Sequence, residues 1–154
     1  MTSGSERVLA FLRSSGLDVV VREFDVSTKS SMLAAQVLKC SVAEIAKSVV
    51  FTGGGRTFVV IVSGDRKVDA LKLTRVVGEP VCLASPELVK KTTGYSIGGV
   101  PPFPHGPSVR VLADLSLMRF SRVWAAGGSP NIVIRISSRD LMGTVGGDPV
   151  DVST

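Results

Sequence analysis

Two β-branched runs separated by a knot of glycines constrain this chain more than any other feature in it. Ser48-Val49-Val50-Phe51-Thr52 and Thr57-Phe58-Val59-Val60-Ile61-Val62 flank Gly53-Gly54-Gly55-Arg56. Valine, isoleucine and phenylalanine favour extended backbone, where their bulk near Cβ packs well on a pleated surface. Glycines between two such runs supply the positive φ that a tight connection needs, so the spacing predicts a β-hairpin. The triple glycine also invites a phosphate-loop reading. No Gly-Lys-Ser/Thr follows it and no helix pattern opens there, which leaves the hairpin.

Shorter elements are expected around the hairpin. Residues 5–13 read as an amphipathic helix with Val8, Leu9 and Leu12 on one face and Gly16 ending it. Residues 18–24 read as a strand. Ser30 or Ser31 caps a helix through Leu38, and Ser41 caps a second over residues 42–47, with Glu44 at the capping-box spacing. Helices are predicted over 67–77 and from Ser85-Pro86-Glu87, with a short strand over 81–84 between them. Residues 109–113, 122–126 and 132–136 read as strands, and Ser137 or Ser138 starts a last helix to Met142. Strands and short helices interleave without a βαβ rhythm, which predicts an α+β fold around a strongly curved sheet. The 154 residues suit a single domain, with residues 143–154 expected as a loose tail.

The formal net charge of +5 permits a polyanionic partner without demanding one. Lys and Arg are dispersed, with concentrations at Arg66, Lys67, Lys72 and Arg75 and at Lys90 and Lys91. Phosphate contacts and solvated helix faces both account for such groups. Cys40 and Cys82 match no zinc spacing and are expected as buried free thiols. The N-terminus lacks the order of a secretion signal, and no run approaches the ~20 apolar residues of a membrane span. A soluble, cytoplasmic protein is expected.

Candidate chemistry concentrates between Thr93 and His105. Gly98 and Gly99, then Pro101 and Pro102, then the only histidine, His105, follow in quick succession. Glycines let a ligand approach bare backbone, and prolines stiffen the loop, a combination suited to a developing negative charge. A plain Gly/Pro turn is the alternative. Gly94-Tyr95-Ser96-Ile97-Gly98 also matches the G-x-S-x-G of a nucleophile elbow. That elbow needs a helix after the serine, and Gly-Gly-Val-Pro-Pro cannot begin one. The histidine moreover precedes Asp114, the wrong order for that triad.

Two stretches taken together resemble a known family. Ala43-Glu44-Ile45-Ala46-Lys47-Ser48-Val49-Val50-Phe51 and the later Thr93-Gly94 to Gly98-Gly99-Val100-Pro101-Pro102 resemble the YbaK family of aminoacyl-tRNA deacylases. That family is related to the editing domain inserted in bacterial prolyl-tRNA synthetases. The likeness continues through Ser63-Gly64-Asp65-Arg66-Lys67-Val68-Asp69 and Val123-Trp124-Ala125-Ala126-Gly127-Gly128. It implies a curved, barrel-like mixed sheet flanked by helices, and hydrolysis of the ester joining a wrong, small amino acid (Ala, Cys, Ser or Thr) to tRNA. The implied alternative is a tRNA- or synthetase-binding module without turnover.

By the same resemblance Lys47 is the essential lysine, with Gly98 and Gly99 as catalytic backbone donors. Val100, Pro101 and Pro102 complete the implied substrate loop, and Ser48, His105, Gly127, Gly128 and Ser129 are expected as further substrate contacts. From its surroundings alone, Lys47 is better read as a last-turn lysine answering a helix dipole, and His105 equally as a loop residue tied to backbone. No metal or organic cofactor is implied; the partners are aminoacyl-tRNA and an aminoacyl-tRNA synthetase. Several members carry a histidine where this chain has Gly127-Gly128-Ser129-Pro130-Asn131, so the amino-acid preference stays open. Since Ser96 lacks the elbow, Ser96→Ala is expected to keep most ester hydrolysis, and a fluorophosphonate probe to leave Ser96 unlabelled by peptide mass spectrometry.

Overall fold

The computed structural model describes residues 3–154. The hairpin forms as β2 (Ile45–Gly53) and β3 (Arg56–Ser63), in register from Ala46 opposite Ser63 to Gly53 opposite Arg56. Gly54 and Gly55 make its turn at φ 57° and 78°, the doubled positive φ of a type I′ connection. β3 joins β5 (Val109–Ala113) in parallel, and β2 joins β6 (Arg122–Ala126) in parallel. Antiparallel pairing then adds β7 (Ile132–Ser137) to β6 and β1 (Val20–Glu23) to β7. The order is β1-β7-β6-β2-β3-β5, with the two-residue β4 (Cys82–Leu83) paired to the far end of β2. This is the expected α+β class with a mixed sheet. The path ends at β1 and β5, so the sheet is open rather than a closed barrel.

Alternation along the strands loads both faces. Val59 and Ile61 of β3, Val123 and Ala125 of β6, and Ile134 and Ile136 of β7 share one core with Val8, Val89 and Leu141. Those three come from α1 (Gly4–Ser15), α4 (Pro86–Thr93) and α5 (Ser138–Val145). Phe58 and Val60 face the other way, onto Leu73 and Val77 of α3 (Ala70–Val77). Trp124 and Val133 face the same way onto Ala34 and Ala35 of α2 (Ser31–Leu38). β3 is therefore covered on both faces, and Phe58 to Val62 have no solvent exposure. Burying one such side chain is worth about 1.5–3 kcal/mol.

Four expectations are corrected. The helix expected over residues 42–47 is a single 3₁₀ turn, Val42–Glu44, although the Ser41–Glu44 capping box does form. From Ile45 onward the chain enters the sheet, gaining β3 on one edge and β6 on the other, more than a two-turn helix offers. Lys47 consequently sits inside a strand, and the helix-dipole reading of it lapses. The tail is not loose either. α5 runs to Val145, and residues 150–154 return to the sheet, where Val152 is fully buried. Lys67 and Thr154 exchange two backbone hydrogen bonds at 3.1 and 2.9 Å, and Asp69 N donates to Val152 O at 2.7 Å. Those contacts hold residues 67–69 extended, so α3 starts at Ala70 on the Asp69 cap rather than at Lys67. Finally, Cys40 and Cys82 are both free, but Cys82 is exposed and Cys40 only half-buried.

Asp114 clasps the returning tail. Its buried carboxylate accepts from Val152 N at 2.9 Å, Ser153 Oγ at 2.8 Å and Ser116 N at 3.0 Å. Burial alone would raise its pKa, but those donors outweigh burial and hold the carboxyl below its usual range. Its contribution to stability is thus present above the unfolded pKa and disappears as pH falls through the lowered folded value. Asp114→Ala strands three donors, and is expected to cost about 3 kcal/mol in urea unfolding while making residues 146–154 susceptible to carboxypeptidase.

Candidate functional site

The sheet is split beside β2. Its outer edge pairs with β6 only at Ile45 and Ala46, and with β4 only at Phe51 and Thr52. Ala84 N extends the latter contact to Val50 O at 2.9 Å. After Ala126 the chain leaves β2, and Gly127 N turns to Ile132 O at 2.8 Å. A cavity of about 320 Å³ fills the opening between Ala46 and Val50, walled by Ala34, Trp124, Ala125 and Val133 on one side and Ala84 and Val89 on the other.

Gly98 closes the mouth. Gly99 N donates to Ser96 O at 2.9 Å across a turn in which Gly98 takes φ 84°. A Cβ on Gly98 would stand 2.6 Å from Lys29 Cβ, so only glycine lets the turn lie against the segment entering α2. That segment is fixed in turn by Thr28, whose N–H and Oγ both reach Pro130 O, the latter at 2.9 Å. Lys29 thus stands at the rim opposite Gly98, lining the cavity with it.

Lys47 lines the same cavity from within β2. Burial lowers its pKa, Asp65 opposes that shift and Lys67 adds to it. Asp65 is itself held by Arg119 through two bonds of 2.7 and 3.1 Å, and among the described residues Lys47 has no carboxylate within 4.0 Å. The neighbouring Ser48 Oγ is buried without a hydrogen-bond partner among the described residues. Among the described residues no Asp, Glu or His lines the cavity, which is apolar apart from Thr28, Lys29, Ser30, Ser31, Lys47, Ser48 and backbone. Two ammonium groups at an apolar slot suit a ligand with an anionic portion and a small, weakly polar group that can enter.

The fold brings Lys47, Ser48, Gly98 and Val100 to this cavity, and places the other expected site residues elsewhere. Gly99 is buried against Ser129, with its N–H already spent on Ser96 O. Pro101 and Pro102 are buried, and His105 Nε2 donates to Pro101 O at 2.8 Å. The ring of His105 meets Tyr95 edge-on at 5.5 Å, and Tyr95 carries Arg7 over its face at 4.4 Å. Gly127 packs on Ile132, while Gly128, at φ 95°, touches Gly4 at the start of α1. Ser129 Oγ bonds Asn131 Oδ1 at 3.1 Å behind the Gly98–Gly99 turn.

Of the basic residues, Lys72 is tied to Asp151 at 3.0 Å and Ser153 O at 2.8 Å, and Lys90 to Gly94 O at 3.1 Å. Lys67, Arg75 and Lys91 are exposed and Arg66 half-exposed. Lys29, Thr28, Ala34 and Trp124 were not anticipated. Thr28 and Lys29 lie side by side before α2, Ala34 is in α2 and Trp124 in β6, and nothing in the local sequence marks Trp124 as a neighbour of the others.

The open mixed sheet with flanking helices is the fold shared with the solved neighbours described below. The aminoacyl-tRNA editing domain family matches residues 26–144, and the chain belongs to it. The uncharacterized protein YwhH of Bacillus subtilis (strain 168) is 36% identical over 122 residues, 79% of this chain and 78% of its own length. The proline–tRNA ligase of Desulfitobacterium hafniense is 32% identical over 92 residues, 58% of this chain but only 16% of the ligase. A solved candidate trans-editing enzyme for prolyl tRNA synthetase superposes with TM-score 0.88 at 36% identity, covering 100% of this chain and 99% of that one. Hypothetical protein APE2540 superposes with TM-score 0.92 at 29% identity, covering 97% of this chain and 100% of that one.

His105 sets a pH dependence separate from the cavity. Burial lowers its pKa, the Pro101 carbonyl opposes the shift, and Arg7 adds to it. The unfolded chain therefore takes up this proton near pH 6.5 while the folded chain resists it, so stability falls as pH drops below about 6.5. In urea unfolding at pH 7.5 and 5.0, His105→Gln is expected to lose less stability between the two pH values than the parent.

Proposed function

We propose that this protein hydrolyses the ester of a mischarged tRNA carrying a small amino acid (alanine, cysteine, serine or threonine) and acts in trans rather than as part of a synthetase. The observation that carries the reading is Lys47: a cation without a carboxylate partner, on the wall of an apolar slot, in a chain of the editing-domain family. An aminoacyl ester is already activated, so the site has only to orient water and stabilise the oxyanion. Water adds to the carbonyl carbon, the C–O bond to the ribose breaks, and the ribose oxygen leaves with a proton. The absence of an acid or imidazole from the cavity walls fits a reaction that asks the protein for placement and charge rather than a strong base.

In this reading Lys47, with Lys29 at the rim, engages the terminal nucleotide or the ester oxygen. Gly98 and Val100 place the ribose end, and Ser48 contacts the aminoacyl group. Ala34, Ala46 and Ala125 leave room for a small side chain. Pro101, Pro102, His105 and the Gly127–Gly128–Ser129 turn support the Gly98 loop from behind. Exposed Lys67, Arg66, Arg75 and Lys91 contribute phosphate contacts, whose strength falls with salt. The partners are aminoacyl-tRNA and prolyl-tRNA synthetase, in the cytoplasm, where charging occurs.

The test is a deacylation panel with enzyme in excess over tRNAs charged with Ala, Cys, Ser, Thr and Pro. Loss of at least one non-cognate ester faster than in buffer is expected; no acceleration with any member overturns the hydrolase in favour of a binding module. Lys47→Ala is expected to lose at least 10²-fold in kcat/KM while melting within a few degrees of the parent, because burial already disfavours its charged form. The parent's stability should rise as pH climbs through the lowered folded pKa toward 10.5, and that rise should shrink in Lys47→Ala.

A further inference from the structure

The unpaired stretch of β2 has a direction. Ile45 O accepts from Gly64 N at 2.7 Å on the β3 side, whereas Val50 O accepts from Ala84 N at 2.9 Å on the opposite side. Along a strand the N–H and C=O of successive residues point alternately to the two edges. Ser48 therefore shares the orientation of Ala46 and Val50, away from β3. Its partner confirms this: Ser48 lies opposite Ile61, whose carbonyl is turned to β5 and accepts from Asp114 N at 2.8 Å. Ala46 is matched by Ala125, and Val50 by Ala84. Among the described residues no strand lies opposite Ser48. Both its backbone groups face the cavity, since the slot occupies the place of the missing strand.

We infer that the Ser48 backbone receives the aminoacyl group as a one-residue strand, an inference that rests on the deacylase reading and specifies its chemistry. An aminoacyl ester presents an ammonium donor and a carbonyl acceptor on either side of one Cα, as a strand residue does. The α-ammonium donates to Ser48 C=O, and the ester carbonyl accepts from Ser48 N–H. This accounts for how an α-ammonium is recognised in a cavity without a single carboxylate. When water adds, the carbonyl π electrons move to the oxygen already held by Ser48 N–H. They return when the C–O bond to the ribose breaks, so the donor acts as an oxyanion hole. Pairing also sets the side chain perpendicular to the edge, which gives the slot a fixed place to measure its size.

Two experiments decide it. Ser48→Pro deletes the donor without removing a bond to β3, because this N–H does not point there. Its kcat on the preferred charged tRNA is expected to fall at least 10²-fold below that of Ser48→Ala, which keeps the donor. Equal kcat in the two folded variants overturns the inference. Should Ser48→Pro fail to fold, the amide signal of ¹⁵N-labelled parent protein decides, with the probe 3′-alanylamido-3′-deoxyadenosine, which cannot be hydrolysed. The Ser48 amide proton is expected to shift downfield. A Ser48 amide that stays put while those of Gly98 and Ala125 move overturns the pairing, and so does the absence of any shift among the three. If the parent cleaves no ester in the panel, the deacylase reading fails by itself, and the amide shift still decides the pairing.

Discussion

Everything in this fold is referred to β3. Residues Phe58 to Val62 are sealed on both faces and hydrogen-bonded on both edges, to β2 and to β5. A strand in that position has no freedom of register, because a one-residue slip would exchange its two apolar faces and break both ladders at once. β2 inherits its register from this fixed neighbour. That inheritance puts Lys47 opposite Val62 and Ser48 opposite Ile61, and so decides which groups look toward β3 and which look away.

The site follows from what β2 lacks on its other edge. β6 reaches it only at Ile45 and Ala46 before turning off at Gly127, and β4 only at Phe51 and Thr52. A gap in a sheet leaves backbone groups unpaired, which costs free energy unless water or a ligand satisfies them. Here the gap is lined by apolar side chains, by two lysines at its margin, and by a serine hydroxyl with no partner. Such a place is better matched to a polar ligand with an extended backbone than to nothing.

Most of the loop that looked richest in chemistry packs away from the cavity. Its glycines allow close approach to Lys29 and Ser129, and its prolines are buried. Its histidine is tied to Pro101 O, with Tyr95 and Arg7 stacked beyond. Ile97, Gly98 and Val100 reach the cavity. At the other end of the sheet the Asp114 clasp holds residues 150–154, fixing the extended segment before α3 and the neighbourhood of Lys67.

Local patterns were enough to read most elements. The doubled glycine turn, the serine and proline helix starts, and the β-branched runs of β5, β6 and β7 each carry their own signal, because turn conformation and capping are decided by neighbours in the chain. The pairing of Lys47 with the glycine loop was likewise legible as a family likeness. Capping chemistry misled over residues 42–47. Ser41 and Glu44 do close their box, but two strands compete for Ile45 onward, and that competition is tertiary. The tail's docking depends on a carboxylate 38 residues away, and the cavity on where β6 stops. Thr28, Lys29, Trp124 and the direction of the Ser48 amide have no local signature at all. They matter because strands distant in sequence pair up to a point and then part, and only the folded sheet decides where that point falls.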